Sequence, residues 1–389
     1  MKLSKVSIVA STLSYNPMIR VYPFYKILSK KYDVELIGPI DKNGFYKPLV
    51  NEIPSYSGVK EKKFFPFYLS TLNEIKKKID GDVIHAFKPR VFSFGAGLLK
   101  RARSNKKLIL DIDDWETQHF IDSYFSWNPV KLAMFLGSDG YFAEGLFGKK
   151  ILEKIIPNAD RVIVDCYRLQ QIFGGTYIPS GANTDMFDPD KLSGGSVRKK
   201  YGFSKDDIIV GYIGNPKRHK GIMDIVEAVK LANKENPGIK LLIVGADKNQ
   251  PAPEVRKFIE DLEKIDGIYL EGYIHHEKVP EYLAAVDIVP IPQGNSPSAD
   301  RQIPYKIFES MAMGKAIIGS DKADIPIVLK NCGKIIKSGD VNGLKNAILD
   351  YAKNKSLRIS DGKKARQKCV KEYSWKVMGK KIFEVYESL

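Results

Sequence analysis

The chain has 389 residues, 43% hydrophobic and 28% charged, and a formal net charge of +16. That length exceeds one compact core and predicts two domains, while the composition excludes disordered and fibrous classes. No apolar run approaches the roughly 18–20 residues of a spanning helix, and the excess of base seeks an anion: nucleic acid, a phosphorylated small molecule or an acidic membrane.

Met1–Thr12, with Lys2, Lys5 and the short run "VSIVA", reads as a first strand and not as a signal peptide. Cys166, Cys332 and Cys369 have no metal-ligand spacing, which points to a reducing compartment and hence the cytoplasm. Apolar β-branched runs at 5–12, 33–39, 82–87, 107–113, 161–166 and 176–181 alternate with amphipathic stretches. A second set falls at 208–214, 240–246, 267–273, 287–292, 316–321 and 333–339. Alternation of this kind predicts βα units around parallel sheets, hence two Rossmann-type domains of about six strands each. The join falls in the Pro-, Gly- and charge-rich stretch 183–207. Domain spans of 1–190 and 191–372 follow, with an amphipathic terminal helix over 373–389.

Two segments interrupt the regular pattern. Residues 60–107 hold thirteen Lys/Arg against four Asp/Glu, supplying +9 of the net charge, and "KEKKFFPFYL" (60–69) interleaves base and aromatic. Either the phenylalanines pack inward below solvated lysines, or the stretch lies on anionic lipid. Residues 120–155, aromatic and Gly-rich, read as a buried helical pair or a second membrane-facing element.

In doubly wound folds ligands bind beyond the carboxyl ends of the strands. After the first strand, Asn16 is a candidate N-cap, Pro17 a first helical residue, and Arg20 lies one turn in, an arrangement open to an anion. In "GYIGNPKRHKGI" (211–222), Gly214 and Asn215 lead into Lys217, Arg218 and Lys220, which crowd a helix entrance. Like charges there oppose the helix dipole unless an anion neutralises them, and a diphosphate is the economical choice. The loop has neither Walker A nor G-x-G-x-x-G spacing, which argues against a P-loop NTPase and a dinucleotide oxidoreductase. In "PYKIFESMAMGKAII" (304–318) a helix is expected from about Pro304, with Glu309 among apolar neighbours. A carboxylate so placed needs donors, for which sugar or ribose hydroxyls suffice; an exposed i,i+3 pair with Lys306 is the structural alternative. "DIDDWE" (111–116) contains Asp-x-Asp, a metal-binding pattern elsewhere and a polar loop start otherwise. His85 and Lys88 end a strand, whereas His275 and His276 read as surface residues. There is no Cys/His zinc cluster and no G-x-S-x-G elbow.

Taken in order, "IPSGANTDMFDP" (178–189), "GYIGNPKRHKGI", "LLIVGA" (241–246), "LEGYIHHEKVPEYLAAVDIVPIP" (270–292) and "PYKIFESMAMGKAII" resemble the retaining, nucleotide-sugar-dependent glycosyltransferases of the GT-B fold, family 4 (glycosyl transferases group 1). The resemblance implies two Rossmann-like domains facing across a cleft, with the terminal helix crossing back to the first. It implies a donor site of Gly214, Asn215, Lys217, Arg218, Lys220, Ile303, Pro304, Tyr305 and Glu309, the last accepting from ribose hydroxyls as the second glutamate of E-x7-E. Arg218, Lys220, Glu309 and His85 would be catalytic, and Asn16, Arg20, Lys88, Asp113, Asp114 and Trp115 would meet the acceptor. No metal or cofactor is expected beyond a UDP- or GDP-linked donor. The expected partners are a glycan or lipid-linked acceptor and the anionic inner membrane face, approached peripherally from the cytoplasm, with no nucleic acid.

The sequence also departs from the family pattern. Arg301 stands at the first glutamate of E-x7-E, beside Asp300; Asn215 follows Gly214 in place of arginine; Phe87 stands where a His-x-His pair would end; and "IPSG" replaces Pro-Asn-Gly. Rival readings are a GT-B nucleotide-sugar epimerase or hydrolase and, from charge alone, a basic nucleic-acid-binding protein.

Overall fold

A computed structural model of the chain describes residues 3–124, 143–249, 252–297 and 299–389. Part of the aromatic stretch 120–155 lies outside the described residues. The chain divides into two units: residues 1–180, 296–302 and 378–389 form the first, and 181–295 with 303–377 the second.

The first unit holds a parallel sheet of β1 (Lys5–Val9), β2 (Asp33–Ile40), β3 (Ser57–Lys60), β4 (Val83–Phe87), β5 (Lys107–Ile112), β6 (Arg161–Val164) and β7 (Thr176–Tyr177). Its order is β3-β2-β1-β4-β5-β6-β7. Seven strands replace the expected six because β3, with sequence SGVK, is a four-residue edge strand whose Gly and Lys hide its pairing with β2. The second unit holds β8 (Ile208–Ile213), β9 (Ile239–Val244), β10 (Ile268–Glu271), β11 (Ile288–Ile291), β12 (Ala316–Ser320) and β13 (Lys334–Ile336), all parallel, in the order β10-β9-β8-β11-β12-β13. Central strands are buried on both faces, which is why they read as continuous apolar runs. The helix Ile222–Glu235 shows the complementary pattern, burying Ile222, Ile225, Val226, Val229 and Ala232 at helical spacing against the sheet. Both sheets are doubly wound, so each has a switch point: between β1 and β4 in the first unit, and between β8 and β11 in the second.

Residues 181–190, expected in the first domain, belong to the second unit. Backbone bonds fix them there: Ala182 N–H donates to Tyr373 O at 2.9 Å and Ala182 O accepts from Trp375 N–H at 2.9 Å. Arg366 adds donations to Thr184 O and Phe187 O.

The last helix, Trp375–Glu387, buries Met378, Ile382, Val385 and Tyr386. Its residues from Met378 onward belong to the first unit. Tyr386 stacks on Tyr32 with ring centroids 5.5 Å apart, and its hydroxyl lies 2.8 Å from His85 Nδ1. His85 corrects an expectation here. It is fully buried in β4, stacked on Phe87 at 4.6 Å and edge-on to Phe24 at 5.2 Å. Burial, with the nearby Arg20 charge, pushes its pKa down to about 3. His85 is therefore a neutral core histidine and is not placed to meet a substrate.

The pKa of His85 gives a signed prediction. Between about pH 6.5 and pH 3 the unfolded chain takes up a proton that folded His85 refuses, so stability falls as pH falls. In urea unfolding, His85→Gln should flatten this acid limb by up to about 1.4 kcal/mol per pH unit while keeping a partner for Tyr386. An unchanged acid limb would refute the assignment.

Candidate functional site

The loop after β8 leaves the sheet at the second unit's switch point. Gly214 takes φ 133°, and a Cβ there would sit 3.1 Å from Lys306 Nζ, so the lysine lies directly over this backbone. Gly245, after neighbouring β9, has φ 101°, and a Cβ there would meet Gly214 O at 2.8 Å. Gly221 (φ 68°) closes the 3-10 turn Arg218–Lys220 and starts the helix Ile222–Glu235. These conformations suit glycine and bring the basic loop against the strand ends.

Lys306 is the group that the reading of single motifs undervalued. It begins the helix Lys306–Ala312, two residues later than the expected start at Pro304. Its ammonium sits 3.3 Å from the centroid of the Tyr212 ring, on β8. Burial first, and the Lys220 charge second, drive its pKa well below the usual lysine range, against the opposing pull of Glu309. Among the described residues no carboxylate stands within ion-pair distance of it. The exposed Lys306–Glu309 pair considered from sequence is not formed.

Glu309, one turn on, is 6% exposed. His276 Nε2 lies 2.8 Å from its Oε1, so part of the carboxylate's hydrogen-bonding need is met by the protein itself. This corrects the reading of His276 as a surface residue: the 3-10 turn His276–Lys278 carries its ring inward toward Glu309 and Phe187. No spacing in the sequence signals this, because the pair joins positions 33 residues apart.

The other expected donor residues divide. Lys220 is half-buried, close enough to depress Lys306, and Lys217 is half-buried with its pKa lowered by burial. Asn215 O accepts from Tyr212 Oη at 3.3 Å. Ile303 is buried, and Pro304 and Tyr305 are half-buried, Tyr305 capping the Lys306 helix. Arg218 points elsewhere: it is largely exposed, 2.9 Å from Asp261 and over the Phe258 ring at 4.7 Å. With its charge balanced by Asp261, Arg218 is turned away from Lys306.

Near the ends of β4 and β5 in the first unit, buried charged residues pair with one another. Lys88, in the left-handed region at φ 71°, donates its N–H to Asp111 O at 2.8 Å. Its ammonium reaches Asp113 Oδ1 at 2.9 Å, Glu116 Oε1 at 3.0 Å and Asp114. Arg90 and Lys149 complete the network on Glu116 and Glu144. Cations hold the Glu116 carboxyl well below its ordinary range, whereas burial pushes Asp113 up to about 6 and Asp165 well above the usual carboxylate range. Arg20 is buried in a two-bond pair with Asp111, both at 2.9 Å, and donates to Ile178 O at 2.8 Å. That pair fastens β5 to the segment after β7 and leaves Arg20 committed to internal partners. Asn16 does not cap its helix: Pro17 holds the cap position, and Asn16 Oδ1 accepts from Tyr46 Oη at 3.1 Å. Trp115 lies under the Arg301 guanidinium at 4.6 Å, and Gln302 Nε2 donates to Asp114 Oδ1 at 2.5 Å. The segment carrying Asp300 and Arg301 thus belongs to the first unit's charged strand ends. Asp111 and Asp113 of the Asp-x-Asp pattern are engaged by Arg20 and Lys88, and among the described residues no group of three His, Cys, Asp or Glu is arranged to hold a metal.

Residues 207–354 match the family model "Glycosyl transferases group 1". The chain is 23% identical over 231 residues to the GDP-mannose-dependent monoacylated alpha-(1-6)-phosphatidylinositol monomannoside mannosyltransferase of Corynebacterium glutamicum, covering 57% of this chain and 59% of that protein. It is 25% identical over 200 residues to the N-acetyl-alpha-D-glucosaminyl L-malate synthase of Bacillus anthracis, covering 50% and 48%. The matches therefore span about half the length of these curated relatives. Among solved structures, sucrose-phosphate synthase from Thermosynechococcus elongatus superposes with a TM-score of 0.74 at 19% identity, covering 99% of this chain and 98% of that one. Anabaena Alr3699/HepE, in complex with UDP-glucose, gives 0.73 at 16% identity, covering 99% and 100%. The architecture, two Rossmann-like units each with a parallel sheet, is that of GT-B glycosyltransferase structures.

An anion arriving at Lys306 would raise the lysine's pKa, so binding should take up protons. Calorimetry of UDP or GDP binding in buffers of different ionisation enthalpy should show net proton uptake wherever free Lys306 is deprotonated and the anion-bound lysine is not. Lys306→Met should abolish the uptake and weaken binding roughly tenfold to a hundredfold. Equal affinity and equal uptake in the variant would exclude this role.

Proposed function

We propose that this chain is a glycosyltransferase that moves a sugar from a nucleotide-diphosphate donor to a glycan or lipid-linked acceptor with retention of anomeric configuration. The reading rests on one observation above all: Lys306, with Lys220 near it and no carboxylate within ion-pair distance of Lys306 among the described residues, lies over glycine backbone at the β8/β11 switch point. A diphosphate supplies the missing negative charge, and its oxygens accept charge-assisted hydrogen bonds from both ammonium groups. Glu309, oriented by His276, accepts from the ribose hydroxyls. The group 1 match over 207–354 covers this loop and helix, and the names of the relatives support UDP- or GDP-linked donors.

In the reaction the bond from the anomeric carbon to the diphosphate oxygen breaks while the acceptor hydroxyl bonds to that carbon on the same face. The acceptor's proton passes to the departing phosphate oxygen. Lys220 and Lys306 stabilise the charge developing on the leaving group, a contribution that grows in the transition state and so accelerates the step. Because these cations supply that charge, the transfer is proposed to need no metal. On the acceptor side, the carboxylates of Asp113 and Asp114, set by Lys88, offer acceptors to sugar hydroxyls. The phosphatidylinositol mannoside in the name of the Corynebacterium relative supports a glycan on a lipid as acceptor class.

Lys220→Ala should lower transfer about 10²–10³-fold, some 3–4 kcal/mol, with an unchanged melting temperature. Near-normal turnover would refute the assignment. Activity should survive EDTA, and thermal shifts across UDP-, GDP- and ADP-sugars identify the donor. Donor consumption without any acceptor would favour an epimerase or hydrolase instead.

A further inference from the structure

We propose that the first unit docks peripherally on an anionic bilayer through one rigid aromatic and basic surface built from residues 60–69 and the helix Leu146–Lys154. Phe64, Phe65 and Phe67 are 55%, 52% and 63% exposed, so the phenylalanines do not pack inward. Leu69 is exposed beside them. On the helix, Phe147 is 65% exposed and Ile151 43%, and they share an outward stripe with Lys150 and Lys154 at i, i+3, i+4, i+7 spacing. The inward face of that helix buries Lys149 and Leu152. A solvated helix face is ordinarily polar, whereas this stripe keeps large apolar side chains substantially exposed.

The two segments are adjacent. Ala143 N–H donates to Lys63 O at 3.0 Å, and Ala143 lies one turn before Phe147. The display is fixed from beneath by buried Thr71, whose hydroxyl accepts from Lys62 N–H at 3.1 Å and donates to Lys60 O at 3.0 Å. A surface held in this way loses little conformational entropy on docking.

Charge selects the occupant. Lys60, Lys62 and Lys63 are exposed, while Glu61, the one acid in 60–69, is withdrawn to 8% exposure and paired with Lys63 at 3.2 Å. Lysines ringing phenylalanines, with leucine and isoleucine alongside, suit anionic headgroups above hydrocarbon. Nucleic acid would be met by aromatics stacking with arginine, and the cations of 60–69 and of the helix Leu146–Lys154 are all lysines. No helix among the described residues is long and apolar enough to cross a membrane, so the contact is with the surface of the bilayer. A membrane-borne acceptor is the natural consequence, and that consequence alone rests on the glycosyltransferase reading.

The test is flotation of the full chain with vesicles of phosphatidylcholine containing about 30 mol% phosphatidylglycerol, against pure phosphatidylcholine. Each surface lysine contributes roughly a fivefold factor in binding, so Lys60→Glu/Lys62→Glu/Lys63→Glu should reduce flotation at least about tenfold. Phe64→Ser/Phe67→Ser and, separately, Phe147→Ser/Ile151→Ser should each produce a comparable loss if both segments meet the lipid. UDP- or GDP-induced thermal shifts in the same variants report that the second unit is intact. Absence of wild-type flotation, flotation indifferent to all three variants, or equal retention by neutral vesicles overturns the proposal. So does tighter capture by single-stranded DNA than by the anionic vesicles. Flotation uses neither nucleotide nor turnover, so docking and the enzymatic reading fail independently.

Discussion

Positive charge at the carboxyl ends of the second sheet, left without a carboxylate ion pair at Lys306, is the constraint on which the site depends. Lys306 is pressed over Gly214 and against the Tyr212 ring, with Lys220 close enough to lower its proton affinity. Its nearest acid in sequence, Glu309, is drawn to His276. A π face softens such a charge but does not neutralise it. An anion beside Lys306 would favour its charged form.

The first unit solves the opposite problem. Lys88, Arg90 and Lys149 face Asp113, Asp114, Glu116 and Glu144, and Arg20 faces Asp111. Breaking such a buried pair by removing one partner costs about 3–5 kcal/mol, so the network is rigid and also vulnerable. The positive φ of Lys88 is part of that rigidity: an uncommon backbone state aims one ammonium at three carboxylates. The first unit's strand ends therefore hold paired charges, whereas Lys306 in the second unit has no carboxylate ion pair among the described residues.

How legible this was in the sequence depended on the range of the interactions. The apolar runs "KLILDID" and "KLLIVGA" marked β5 and β9 because burial on both faces writes itself into consecutive residues. The basic loop after Gly214 was legible for a similar local reason: three cations in four positions repel one another and call for negative charge nearby, part of which Asp261 supplies. β3 was not, since four residues on a sheet edge carry too little pattern. Arg218 and Lys220 looked equivalent in sequence, yet Asp261, 43 positions away, takes the first. His85 looked catalytic at a strand end, and Tyr386, 301 positions away, makes it a core residue.

Sequence alone determined the two parallel sheets and the basic character of the loop after β8, because each follows from local periodicity or local charge density. Tertiary structure decided which individual side chains are engaged. His276 was turned to Glu309, Arg218 to Asp261, Arg20 to Asp111, and Phe64, Phe65 and Phe67 to the outside. A hydrogen bond or ion pair is made across a few ångströms of space, and separation along the chain carries no record of that distance until the backbone has folded.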